Sequence, residues 1–138
     1  MAEITAIGTA RMWLGSAEAS MNSKIYPTAI YGMEMAVEIA LKAVLMAFNA
    51  NVPKLHNVMS VLHIVFDENR NALPKTFREK EEFIFDTYND LLEERPLVGY
   101  TFETNAKTAS VDKAREYMKR AKEVVDLCEL AVRYIGKK

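Results

Sequence analysis

The chain is short of the residues that most metal, redox and nucleophilic sites are built from. It has one cysteine and two histidines in 138 residues. A single cysteine, Cys128, excludes an internal disulfide and a thiolate zinc site, and it fits a reducing compartment. Five glycines and four prolines are too few for a loop-rich fold, and no glycine-rich phosphate loop or serine elbow is present. Strand-like alternation is absent. The longest uncharged apolar stretch, "AVLMAFNANV", is too short to span a bilayer. The N-terminus "MAEITAIGTARMW" lacks the basic head and apolar run of a signal peptide, so a cytoplasmic location is expected. A formal net charge of −1 argues against a whole-surface nucleic-acid binder, and DNA is not an expected partner.

What remains is a chain that is half apolar, enough to bury one core without staples. Its periodicity is helical throughout. The spacing predicts a first helix over about Glu3 to Asn22, with Ile7, Ala10, Leu14, Ala17 and Met21 on one stripe. A second runs from near Pro27, a favoured first-turn residue, to about Phe48. It is apolar almost all round, as expected of a helix central to a bundle. A short third helix is expected over about Asn57 to Asn69, reached through Pro53. "TFRE" reads as a capping box, Thr76 with Glu79, opening a fourth helix that continues to about Glu94 and stops at Pro96. "PLVGYTFETNAKTAS" has no helical period, and a loop of that length in a compact helical domain is more often functional than idle. The last helix is expected from Ser110 as cap to about Ile135, with Ala114, Met118, Ala121, Val125, Cys128, Ala131 and Ile135 buried and Gly136 ending it. The expected architecture is one all-α domain over residues 1–138, an up-and-down bundle of four main helices plus a short fifth.

Charge is unevenly placed. Residues 76–95 carry three basic and seven acidic side chains, and residues 96–138 carry nine and six. A chain polarised in this way has the means to associate with a second copy or a complementary partner.

Three groupings could carry chemistry. His56 and His63 stand seven apart, about 10 Å along a helix axis, too far to share one ion. No histidine has a glutamate three residues before it, so no metal site and no cofactor are expected. Cys128 sits on an apolar stripe and reads as a small buried hydrophobe. The stripe Glu34, Glu38, Lys42 on the second helix reads either as a solvated face with one Glu38–Lys42 pair or as the lining of a groove or dimer interface. Arg95, with Tyr100 and Phe102 behind it, reads equally as a phosphate clamp with stacking aromatics or as a helix-end charge with loop anchors.

"YGMEMAVEIALKAVLMAFNANVPKLHNVMSVL" resembles the central signature of HEPN domains, with Glu38, Leu41, Lys42, Ala43 and His56 in matching places. Tyr88, Arg95, Gly99 and Tyr100 resemble the family's later segment, and the likeness spans about residues 10–135. The resemblance implies a helical bundle, a homodimer, and pairing with a small nucleotidyltransferase in a toxin–antitoxin-type module. It also implies nucleotide or RNA binding, and in active members metal-independent RNase chemistry by an arginine followed four to six residues later by a histidine. Here the sequence departs from the family: Arg95 is followed five residues on by Tyr100, and no other arginine has a histidine at that distance. A tyrosine, with a pKa near ~10 against ~6.5 for histidine, is a poor base at neutral pH. The expected binding residues are therefore Arg95, Tyr100, Lys42, Glu38 and His56, with no catalytic residue assigned. Two alternatives stand beside this reading: a divergent RNase toxin using Arg95 and Tyr100, and a helical dimerisation module without a ligand. His56 is expected to cap the short helix or to face the groove near Lys42, and His63 to be an ordinary, partly buried histidine.

Overall fold

A computed structural model describes residues 1–98 and 107–137. Among these residues there are six α-helices, one more than expected, and no strand, as the periodicity predicts. They are α1 (Ala2–Asn22), α2 (Tyr26–Ala47), α3 (Met59–Glu68), α4 (Lys75–Glu79), α5 (Glu81–Val98) and α6 (Lys107–Gly136). A 3-10 turn, Arg70–Ala72, lies between α3 and α4. No helix among the described residues is long and apolar enough to cross a membrane.

α2 is the centre of the molecule and packs on α1, α6, α5 and α3. Thirteen of its residues are buried, from Ala29 to Leu45. This follows from its all-round apolar surface, which leaves few side chains content in water. The predicted stripe of α1 is buried at Ile7, Ala10, Leu14 and Ala17. That of α6 is buried from Ala114 to Ala131. The α1–α2 contact is close because its residues are small. A Cβ at Gly32 would lie 3.1 Å from Ala17 Cβ and 3.3 Å from the Trp13 carbonyl oxygen.

Both long N-terminal helices end on a left-handed residue, Lys24 with φ 62° and Asn49 with φ 58°. In each case the following N–H reaches back five residues, Ile25 to Ser20 and Ala50 to Leu45, and closes the helix. The turn after α2 thereby sends residues 50–58 back across the bundle, where they carry His56.

Several boundaries differ from expectation. α3 begins at Met59, because the Asn57 side chain accepts the Met59 N–H at 3.1 Å and so sits outside the helix. The expected fourth helix is two helices, broken at Lys80. The Thr76–Glu79 capping box does not form: Pro74 precedes the helix, and Thr76 and Glu79 lie within it. Pro96 does not stop α5, which runs on to Val98; a proline so near a C-terminus removes one bond and leaves the preceding turns intact. α6 starts at Lys107, so Ser110 is inside it rather than its cap.

The charge asymmetry is partly spent within the chain. The acidic α5 lies against the basic α6, with Arg120–Asp90 at 2.9 Å and Lys113–Glu94 at 3.5 Å. Lys80 reaches Glu123 at 3.3 Å. Tyr117 is caught in this seam, and burial together with Glu94 and Asp90 pushes its hydroxyl up to about 12.

Candidate functional site

The site grows from the one polar stripe of α2. Glu34, Glu38 and Lys42 recur every fourth residue and so share one face of the helix. That face is not solvated. The residue exposure of Glu34 is 1% and of Glu38 3%, so the reading of a solvent-facing stripe is overturned. The reason is tertiary: α1, α5 and α6 pack around α2 and His56 reaches back to Glu38, so a surface that would be open on an isolated helix is covered. The i,i+4 pair itself is present, with Lys42 Nζ 3.0 Å from Glu38 Oε2.

The other oxygen of the same carboxylate meets His56. Nδ1 lies 3.1 Å from Glu38 Oε1, across eighteen residues of sequence. One buried carboxylate therefore joins an ammonium on one oxygen and an imidazole on the other. The two partners are graded outward: the Lys42 side chain is 16% exposed and that of His56 59%. The charge that burial would penalise most is placed inside and held on both sides, while its partners reach the surface.

Tyr88 fixes the backbone behind His56. It is buried on α5. Its hydroxyl accepts the Val58 N–H at 3.2 Å and donates to the His56 carbonyl. These bonds tie both ends of the short stretch from His56 to Val58 to one rigid phenol, so the imidazole is presented from an anchored backbone. Of the two expectations for His56, a place near Lys42 is the one observed, through the shared Glu38; Asn57, not His56, bonds the start of α3.

The fold thus brings together three of the five expected binding residues, Glu38, Lys42 and His56. Tyr100 lies outside the described residues. Arg95 falls in the last turns of α5, and its side chain is likewise outside them. His63 is exposed rather than partly buried, with its ring stacked on Phe85 at 4.0 Å between centroids. Cys128 is fully buried, and burial pushes its thiol well above the ordinary range, as expected of an inert core residue.

Sequence reasoning missed the part played by Glu34. Its carboxylate joins those of Glu38 and the ring of His56 in a group whose donor atoms all lie within 4.8 Å of one another. Weighing the histidines only against each other and against a glutamate three residues earlier hid this set; the i,i+4 spacing of two glutamates beside a family-matching histidine was the available signal. In this arrangement the Lys42 ammonium already supplies positive charge at Glu38.

The arrangement is a compact acid–base cluster: two buried carboxyl side chains, Glu34 and Glu38, an ammonium with donors to spare, and an imidazole at the surface. Such a cluster can bind an anionic or hydroxyl-bearing ligand and hold a proton at the imidazole.

No curated relative and no solved structure matched the chain. A family model for the HEPN domain matches residues 6–131, nearly the whole chain and all of the helices that build the cluster. With Glu38, Lys42 and His56 of the signature gathered in one place and the match running from the first helix to the last, the chain belongs to the HEPN domain family.

Proposed function

We propose that this HEPN protein binds a nucleotide or RNA phosphate at the Glu38–Lys42–His56 cluster, as one half of a two-component, toxin–antitoxin-type module with a small nucleotidyltransferase. Membership of the family supports a nucleotide- or RNA-related function in general. The observation that carries the specific reading is the buried Glu38, which spends its two oxygens on Lys42 and His56. A lysine has three donors, and one suffices for the carboxylate. The Lys42 side chain is 16% exposed and that of His56 59%, so a phosphate that reaches them gains charge-assisted bonds. Arg95 stands in the stretch that resembles the family's later segment and is the fourth group of this reading. A homodimer is expected from the family, and association is the means by which a second copy would complete such a rim.

The test is calorimetry with ATP, with a short single-stranded RNA and with a purified small nucleotidyltransferase, taken from the neighbouring gene where one is encoded there. Lys42→Ala should weaken phosphate binding by roughly tenfold or more, the scale of a hydrogen bond to a charged group. Silence in all three titrations sinks the proposal.

A divergent metal-independent RNase is the second reading. It is favoured by the His56–Glu38 contact, which supplies a carboxylate-oriented imidazole to a chain that has none after Arg95. It predicts RNA cleavage that both Arg95→Ala and His56→Ala abolish.

A further inference from the structure

A second place on the molecule shares no residue with the cluster above. α3 and α5 border an open cleft of about 390 Å³ lined by Met59, His63, Glu82, Phe85, Asp86 and Asn89. We propose that this cleft binds a guanidinium group carried on an aliphatic stem.

The first argument is charge. α5 carries six acidic side chains, and four of them are met by a partner. Glu81 pairs with Arg70, Asp90 with Arg120 and Glu94 with Lys113, while Glu93 accepts from the Asn89 amide. Among the described residues Glu82 and Asp86 pair with no cation, and these two are the ones that line the cleft. Four residues apart, they stand on one face of α5 with Cβ atoms about 6 Å apart. Two uncompensated carboxylates repel phosphate, so this is not a second nucleotide site.

The second argument is shape and ring chemistry. The His63 ring lies nearly parallel to Phe85, 15° between planes, and the residue is exposed. A planar, weakly hydrated guanidinium stacks on such a surface while its five donors reach carboxylates beside it; a compact ammonium gains less there. Met59 offers an apolar wall for the stem. A bare metal ion fits poorly: the donor atoms of His63, Glu82 and Asp86 do not draw together as those of Glu34, Glu38 and His56 do.

The guanidinium could be free or borne by a polypeptide, and the experiment separates the two. The intact chain is titrated with agmatine, with a capped tripeptide centred on arginine, and with n-butylammonium, observed by side-chain NMR at His63 and Asn89. Saturable shifts with agmatine or the peptide are expected, and the double variant Glu82→Gln, Asp86→Asn should weaken them about tenfold. Both replacements are isosteric and at exposed positions, so the fold is retained. The peptide binding at least as tightly as agmatine assigns the group to a partner chain; agmatine binding more tightly assigns it to a small molecule. His63→Ala should abolish the preference over n-butylammonium. No saturable shift with either guanidine, an unchanged affinity in the double variant, or equal binding of n-butylammonium by the unaltered chain overturns the proposal.

Discussion

Glu38 and Asp90 each meet a cationic side chain at nearly the same distance, 3.0 Å to Lys42 and 2.9 Å to Arg120, and Glu38 meets His56 besides. By distance alone the two pairs are equivalent. They differ in burial: the Glu38 side chain is 3% exposed and that of Asp90 39%. An exposed pair exchanges good hydration for a modest attraction and nets ~0–1 kcal/mol. A buried carboxylate has given up its hydration, so everything depends on its partners staying in place. The α5–α6 seam is thus charge spent on holding two helices side by side. The α2 stripe is charge kept at a cost that stability alone does not require, which is why function is sought there.

The largest expected effect tests this contrast directly. Lys42→Met should destabilise the fold by about 3 kcal/mol in urea denaturation, because it strips the buried carboxylate of its main counter-charge. Asp90→Asn should cost about 0.5 kcal/mol. Equal costs would mean that burial does not separate the two sites. Next comes the anchor behind His56. Tyr88→Phe should cost about 1–2 kcal/mol, since the buried Val58 N–H loses its acceptor. Hydrogen exchange at Val58 should accelerate more than at residues of the α1–α2 contact, and uniform acceleration would argue against a local anchor.

A smaller effect, of opposite sign, is expected outside both regions. Lys24 occupies a left-handed conformation with φ 62° that glycine adopts without strain. Lys24→Gly should raise stability by about 0.5–1 kcal/mol, read as a higher melting temperature.

The smallest effect concerns a surface pair and its pH dependence. The Arg11 guanidinium, 2.6 Å away, is the main cause holding the Glu129 carboxyl below its ordinary 4.5, and Arg133 adds to it. A carboxyl lowered on folding contributes stability above the ordinary carboxylate range and loses it as pH falls through the folded value. Glu129→Gln should therefore cost about 0.5 kcal/mol at neutral pH, discounted for exposure, and progressively less below pH 4.5. A cost that persists undiminished in acid would show that packing, not charge, is what Glu129 supplies.

Much of the fold is written in periodicity. The buried faces of α1 and α6 follow from residues three and four apart, and the central place of α2 from its lack of a polar half. Boundaries are less legible where a local signal competes with its surroundings. "TFRE" has the letters of a capping box, yet the chain turns two residues before it, at Pro74, and the helix is then interrupted at Lys80. Pro96 reads as a stop but sits where a helix has few bonds left to lose.

The site was legible in its members and illegible in its environment. Spacing by four placed Glu34, Glu38 and Lys42 on one face, and the family likeness singled out His56. That the face is buried, that His56 crosses eighteen residues to reach Glu38, and that Tyr88 pins the intervening backbone are facts of chain return. Local sequence fixes which side chains share a helix face, because helical geometry repeats every 3.6 residues whatever surrounds it. It does not fix what covers that face. Coverage depends on how distant segments pack, and only the tertiary structure turned an i,i+4 pair into a buried carboxylate held from both sides.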